Sequence, residues 1–518
     1  MVHVNMNIRK GIIAVAMLTV GVSADAAKYY ISPTGNDSYT ENTKRKPWAT
    51  LGRVQQVVQP GDVVCILPGT YVVSEEEISR EEASGPYKIV YDLSKSGQQG
   101  NPISYVGELD DDGNRPVFDF SNVQPAGYRV TAFLVSADFL ILKNFEIVGV
   151  KVNITDHTQS ENIRVTNGNY NTFENIACHD GMGIGFYLTR RSGHNLFVNC
   201  DGYNNYDDVS EEGKGGQNDA FGCHVQEDCP LNVFIGCRAW NNADDGFDLI
   251  NCYSPVTFCY SIAYRNGYDA DNKSRGDGNG FKAGGYGMAA ERTMPATGAP
   301  MHEVYHCIAS SNKANGIYSN HHLGGLWFHD NTSYRNNNYN YNMVNRRGPS
   351  LEDAVDVNGY AHRLERNLSM VSDGKYNHIS YLRGDEGDNT IEDNSFTWVS
   401  KNSGGWAYTP YGNSIFESTT VSNFLLARET DGMLSEKTRA VLSQKSTLGL
   451  GCSFENYQTA IADYRKVTGA EVDGTTGVVE LRRDVPIVYD AYYNLAGQRV
   501  AQPTRGLYLV RGKKVIIK

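Results

Sequence analysis

The sequence predicts an all-β chain wound as a right-handed parallel β-helix, a solenoid of about 24 residues per coil. Three observations predict it. An apolar position recurs at a fixed spacing, and a second apolar series interleaves with it. Turn-forming residues also run the length of the chain, with 53 glycines and repeated Asn clusters that accept the backbone of tight turns.

The first series is Phe173, Phe197, Phe234, Phe258, Val304, Phe328, Leu364 and Ile391. The third residue after each is Ile176, Cys200, Cys237, Ser261, Cys307, Asn331, Asn367 and Asn394. The second series is Phe186, Phe221, Phe247, Phe281 and Ile317, each preceded by Gly or Ala. From first to second the step is 13 residues at 173 to 186, 234 to 247 and 304 to 317, and the return step is 11 at 186 to 197, 247 to 258 and 317 to 328. Two strand types therefore alternate, and strands of one type stack at about 4.8 Å.

Longer steps flank the second strand type, in the segments Asp201 to Asn218, Gly267 to Gly278 and Gly284 to Pro300. Insertions gathered at one strand of a solenoid raise the walls of a groove, so the functional face is expected there.

Before the repeat, Arg9 and Lys10 precede an apolar run from Gly11 to Val22 and the small-residue site Ala24-Asp25-Ala26. That is the pattern of a secretory signal, so residues 1–26 are expected to be removed and the protein to be secreted, periplasmic or held at the cell surface. The run is too short to span a bilayer, and no membrane span is expected elsewhere. The β-helix is expected over residues 27–420. Residues 421–475 leave the coil register as a capping or linker region; Ser435 to Leu442 and Phe454 to Thr468 read as helices that pack against or cap the C-terminal end of the solenoid. Residues 476–518 read as short strands, with Tyr493-Asn494-Leu495-Ala496-Gly497-Gln498-Arg499-Val500 and Gly506-Leu507-Tyr508-Leu509-Val510. This tail resembles C-terminal tails of exported Gram-negative proteins, which implies a sorting or surface-attachment role.

A net charge of −12 with no basic stretch argues against a nucleic-acid partner. An acidic polymer would need local cations or a divalent metal to approach such a chain. The ten cysteines are not spaced as a compact disulfide framework, and Cys178, Cys200, Cys237 and Cys307 read as small buried side chains of the repeat. A monomer is expected.

Aligning coils on the second series stacks Asp219 on Asp245, then Asn279 and Asn315, two residues ahead of the apolar position. The position after it holds Tyr187, Gly222, Asp248, Lys282 and Tyr318, and Asp244 adjoins Asp245. Ladders that only bond backbone account for Asn279 and Asn315. They account less well for four clustered carboxylates, which repel one another unless a hard divalent cation such as calcium draws them together. Lys282 lies in the glycine-rich frame Gly278-Asn279-Gly280-Phe281-Lys282-Ala283-Gly284-Gly285, beside that cluster.

The segment from Asp219 through Asp244-Asp245-Gly246-Phe247-Asp248 to Gly280-Phe281-Lys282 resembles the family 9 polysaccharide lyases, pectate-lyase-like β-helix enzymes. The resemblance implies Asp219, Asp244, Asp245 and Asp248 as calcium ligands and Lys282 as the base. It also implies an acidic plant-type polysaccharide as substrate, either pectate (polygalacturonate) or the rhamnogalacturonan I backbone. Tyr29-Tyr30-Ile31-Ser32-Pro33-Thr34-Gly35-Asn36-Asp37, followed by Pro47-Trp48-Ala49-Thr50-Leu51 and Pro60-Gly61-Asp62, looks like the start of such β-helices, where a short helix, here about Leu51 to Val58, covers the open end of the core. Arg190, Arg191, Lys214, Arg275, Arg346 and Arg347 are candidate contacts for substrate carboxylates, with solvated surface charge as the plainer reading of any one of them.

Two other readings stay open. A polygalacturonase-like hydrolase on the same scaffold would use paired carboxylates about one water, but the chain lacks the Gly-His-Gly and Arg-Ile-Lys signatures of that family. A non-catalytic adhesin or glycan-binding β-helix would fit the insertions, yet binding alone needs no base.

Overall fold

The computed structural model describes residues 26–468 except 84, 287–297, 348–353, 372–375, 401–403 and 446, together with short strands of the C-terminal tail. The expected signal therefore lies outside the described residues, Ala26 apart.

The chain winds into a parallel β-helix with three long sheets of 12, 10 and 11 strands. The first apolar series is one row of the 12-stranded sheet, paired from Phe173 to Phe197, Phe234, Phe258, Val304, Phe328, Leu364 and Ile391. The second is one row of the 11-stranded sheet, from Phe186 through Phe221, Phe247 and Phe281 to Ile317.

Two strand types were expected and there are three. From Glu146 onward the extra strands, such as Ala177–His179 after Thr172–Glu174, are three residues long and follow a two-residue bend. Too short to show a hydrophobic period of their own, they merge in sequence with the strand before them. The bend recurs in each coil at a left-handed residue, including Asn175 (φ 53°), Asn199 (58°), Tyr260 (49°), Asp330 (54°) and Arg366 (52°).

Inside, like side chains stack on like. Phe186, Phe221, Phe247 and Phe281 have successive ring centroids 4.8, 4.8 and 4.7 Å apart and nearly parallel planes. Strand spacing is thus also ring spacing, and each fully buried ring contributes about 1.5–3 kcal/mol. All ten cysteines are buried and unbridged.

At the N-terminal end, Leu51–Gln55 forms a helix capped by Thr50 Oγ1, which accepts from the Arg53 amide, and Leu51, Val54 and Val58 join the core. At the other end, the hairpin Phe396–Val399 and Gly405–Tyr408 closes the core: Phe396 enters it, Trp406 packs against it, and the Trp406 indole donates to Leu382 O at 3.1 Å.

The helical region, expected at that C-terminal end, lies instead along the flank. Helix Tyr457–Thr468, with Phe424, Leu434, Val441 and Cys452, belongs to a second apolar cluster that covers Leu196, Val198, Val233, Ile235 and Tyr305, and the short helix Glu436–Arg439 lies in the same segment. The reason lies in the strands. Leu196-Phe197-Val198 is apolar on both faces, so its outer face also needs a cover. Asp201 fastens that cover: Arg238 and Arg428 reach its carboxylate at 2.7 and 2.6 Å, with all three side chains buried. The tail forms a separate five-stranded sheet from Val478–Leu481, Tyr492–Tyr493, Arg499–Val500, Gly506–Val510 and Lys513–Ile517.

One rung precedes each strand of the 12-stranded sheet. Asn195, Asn232 and Asn389 accept from the backbone N–H of the preceding coil, and His302 and His362 do the same through Nδ1, to Val256 N at 3.2 Å and Leu326 N at 3.1 Å. Histidine replaces asparagine at the cost of a titratable ring. Burial pulls His362 down to about 3 and the neighbouring His322 to about 4, and holds His302 well below 6.5. A histidine depressed in the folded state keeps its contribution above the ordinary value and loses it as pH falls toward the folded value, because the unfolded chain takes the proton first. His179 and His329 behave oppositely. Burial lowers them, but hydrogen bonds to Asp180 and Glu146, and to Asp330 and Glu303, outweigh it, so their contribution is complete below 6.5. The melting temperature is therefore expected to fall between pH 6.5 and 4, and His362→Asn, which keeps an acceptor for Leu326 N, should reduce that fall. An equal slope in wild type and variant would remove His362 from the account.

Candidate active site

The 11-stranded sheet forms the floor of the site. In its strands the apolar residue points into the core and the next residue points out, giving the paired column Arg164, Tyr187, Gly222, Asp248, Lys282, Tyr318 and Asn342. At Phe247–Asp248 and Phe281–Lys282 the strands are only two residues long. Side chains there are set by the flanking turns as much as by the sheet.

Those turns carry the second column. Asp219 Oδ1 accepts from Asp245 N at 3.1 Å, Asp245 Oδ1 from Asn279 N and Nδ2 at 2.6 and 2.9 Å, and Asn279 Oδ1 from Asn315 Nδ2 at 2.8 Å. Asn279, read from sequence as a backbone-bonding rung, thus also orients Asp245. Asp244 Oδ1 accepts from Asp277 N at 2.7 Å and Asp248 Oδ1 from Ile250 N at 2.7 Å. Every one of the four aspartates has one oxygen fixed by a backbone N–H.

Asp219, Asp244 and Asp245 are buried and offer carboxylate oxygens within 4.8 Å of one another. Burial, then the neighbouring carboxylates, pushes Asp219 and Asp244 well above the ordinary carboxylate range; burial also raises Asp245, against the pull of Lys282. Three converging hard oxygen donors whose mutual repulsion a divalent cation would relieve make a donor set that fits calcium.

Lys282 Nζ stands 3.0 Å from Asp245 Oδ2 and 3.2 Å from Asp248 Oδ2. Its residue exposure is 8%, so it is not a solvated groove lysine. Burial favours the neutral amine, but Asp245, Asp248, Asp244 and Asp219 outweigh it and hold the group well above its ordinary value. Asp248 stands slightly apart from the converging three, between Lys282 and His224, whose Nε2 lies 3.9 Å away.

The six candidate contacts divide. Arg190 ends the strand Ile184–Arg190 and is exposed, as are Arg191 and Lys214. Arg275 pairs with Asp269 at 2.8 Å and lies over the Tyr206 ring at 4.2 Å. Arg346 pairs with Asp356 at 3.0 Å, and Arg347 lies over Tyr360 at 4.9 Å. Asp356 also meets His321 at 2.8 Å, which places the hairpin Asn345–Arg347 and Val355–Val357 just beyond Tyr318. Of the third insertion, Gly284 to Pro300, residues 287–297 lie outside the described residues.

Residues 29–367 match the family described as Pel9A-like, right-handed beta helix region. Pectate lyase L of Dickeya chrysanthemi is 29% identical over 436 residues, covering 83% of this chain and 87% of that protein. A rhamnogalacturonan lyase structure is 41% identical with a TM-score of 0.75, over 82% of this chain and 100% of that one. The structure of pectate lyase Pel9A is 27% identical with a TM-score of 0.59, over 82% and 90%. Among the described residues no helix is long and apolar enough to cross a membrane. With the match spanning most of the β-helix, and the acid column and its lysine lying within it, this chain belongs to the Pel9A-like right-handed β-helix family of polysaccharide lyases.

Proposed function

We propose that the chain is an exported, calcium-dependent lyase that cleaves a uronic-acid polymer by β-elimination, with Lys282 as the base. The observation that carries this reading is the placement of one buried amine 3.0 Å and 3.2 Å from two carboxylates of an acid cluster. Asp219, Asp244, Asp245 and Asp248 would hold the cation. When bound, calcium supplies positive charge beside the C6 carboxylate of the uronate, which acidifies C5 and offsets the aspartate charge that keeps Lys282 protonated.

Lys282 as the neutral amine then takes the C5 proton. The electrons of the C5–H bond form the C4–C5 double bond, the C4–O4 bond breaks, and O4 leaves with a proton from solvent. No water adds. A hydrolase would instead need two carboxyls disposed about a water, one of them a free acid at the leaving oxygen; here the carboxylates converge on one another and on an ammonium.

The 41% identity to a rhamnogalacturonan lyase, over the whole of that chain, supports the rhamnogalacturonan I backbone as the polymer. Pectate is the second reading, supported by the pectate lyase L relatives at 29%. Export is supported by the signal pattern of residues 1–26 and by the C-terminal tail.

Chelation is expected to abolish turnover and added calcium to restore it; full activity in excess chelator would end the calcium reading. Digests of both polymers should yield an unsaturated non-reducing end that absorbs in the ultraviolet, with faster release from rhamnogalacturonan I. Saturated ends carrying oxygen from labelled water would move the chain to hydrolysis, and faster release from polygalacturonate would favour pectate.

Lys282→Ala, assayed with calcium present, is expected to lose at least about a hundredfold in turnover while still binding calcium. In chelator the same variant should melt earlier, since removing one partner of a buried pair costs about 3–5 kcal/mol. Asp245→Ala should lose calcium affinity and turnover together. Lys282 acts as a base only when deprotonated, so the wild-type rate should rise with pH on the alkaline side. Residual Lys282→Ala activity that keeps that limb would place the base elsewhere.

A further inference from the structure

We infer that Lys313 is a positioning residue of the calcium centre, acting on Asp244 through a single peptide group of the inserted loop 267–278; this rests on the calcium reading above. The loop contributes no side chain to the converging aspartates. It contributes the Asp277 N–H, which donates to Asp244 Oδ1 at 2.7 Å. The same peptide unit ends in the carbonyl of Gly276, and that oxygen accepts from Lys313 Nζ, which also reaches the carbonyl of Arg275. In a planar trans peptide the C=O and N–H point in opposite directions. This group therefore lies between an ammonium on its oxygen and a carboxylate on its hydrogen, an arrangement in which each hydrogen bond strengthens the other.

The surroundings are built for that contact. The stem of Lys313 packs against the two abutting ends of the loop, at Gly267 (φ 84°) and Gly278 (φ 78°); added Cβ atoms there would meet the Lys313 Cβ at 2.5 and 2.8 Å. A Cβ at Gly276 would stand 2.8 Å from Asp244 Oδ1, from Ala243 O and from Gly215 O, so no larger residue brings this peptide so near the carboxylate. Backbone bonds hold Lys313 itself in the next coil: its N–H donates to Asn266 O at 2.9 Å, and Ala314 N donates to Gly278 O at 2.9 Å. Arg275 holds the loop from its other side, through Asp269 and the face of Tyr206, whose hydroxyl donates to Gly213 O at 2.9 Å in the neighbouring insertion. Its guanidinium ties the two insertions together.

Second-layer hydrogen bonds of this kind change metal affinity by roughly 10–100-fold. Lys313→Met keeps the stem and removes the ammonium. Calcium titrated calorimetrically into the full chain should show a Kd raised at least about tenfold by that change, and Lys313→Arg, which keeps a cationic donor, should recover most of the affinity. Melting in chelator reports any purely structural role, which would lower the melting temperature and leave the calcium Kd of the folded protein in place. An unchanged Kd in Lys313→Met, with calcium binding normal in wild type, overturns the inference alone. A wild type that takes up no calcium in the same titration overturns the calcium reading and this inference with it. Should Lys313→Met not fold, Gly276→Ala tests the same peptide by displacing it from Asp244. The same loss of affinity is expected, and an unchanged Kd again overturns the proposal.

Discussion

In-register stacking at one strand spacing is the constraint from which the rest of this molecule follows. A parallel coil of fixed length sets each residue on its counterpart in the next coil, so every column must be able to stack on itself. Phenylalanine does so ring on ring, from Phe186 to Phe281. Asparagine does so because an amide both donates and accepts, and Asn266, Asn312 and Asn336 pass Nδ2–H to Oδ1 along the axis. Carboxylate does not, since it only accepts. The turn column that reads Asp219, Asp245, Asn279 and Asn315 is therefore an amide ladder with two rungs replaced by charge. Its hydrogen bonds continue because backbone N–H groups donate at both acid rungs, joined at Asp245 by the Asn279 side-chain amide. Local conflict of this kind marks a functional site within an otherwise consistent fold.

The conflict also explains where Lys282 sits. Four aspartates buried within a few strand spacings cannot all stay ionised without compensation. Among the described residues Lys282 is the cation between two of them, held protonated by the charge that it balances. A lysine serving as a base must be relieved of that duty by another cation on the same carboxylates. On the proposed reading, metal binding and activation of the amine would be one event, because the carboxylates that hold the lysine protonated are also the groups that would bind the ion. Tyr318 and the His321, Asp356 and Arg346 cluster continue the floor beyond it.

Much of this was legible in the sequence because spacing is the one quantity that a solenoid writes directly into its chain. Alignment of the coils on the second apolar series places Asp219 over Asp245 and Asp248 beside Lys282, and the pairings have that register. What stayed hidden has no period. From Glu146 onward the third sheet is made of strands too short to alternate, after bends of two residues such as Asn175-Ile176. The helical segment is expected at the end of the solenoid because an uncapped end exposes strand edges; the outward Leu196, Val198, Val233 and Ile235 supply an apolar surface along the flank, visible only once Phe197 and Phe234 are known to face the core. The burial of Lys282 depends on carboxylates that reach it from two coils. Lys313 was silent because it touches a backbone carbonyl and acts two bonds further on.

The cysteines test how far positional logic outranks compositional logic. Ten of them in a chain with an export pattern invite a disulfide reading. Yet Cys200 occupies the position after the bend that Ser261, Asn331 and Asn367 occupy in other coils, and it makes the same bond: Cys200 Sγ to Phe173 O at 3.4 Å, Ser261 Oγ to Phe234 O at 3.4 Å, Asn331 Nδ2 to Val304 O at 2.8 Å and Asn367 Nδ2 to Phe328 O at 2.8 Å. The site asks for a small side chain with one donor for the carbonyl of the preceding coil, and thiol, hydroxyl and amide all satisfy it. Burial then drives the Cys178 and Cys200 thiols far above their ordinary values, so the thiolate that oxidation requires is scarce. Reduced thiols at Cys200 and Cys237 thus follow from the geometry of one turn repeated from coil to coil, and carry no information about the compartment in which the protein works.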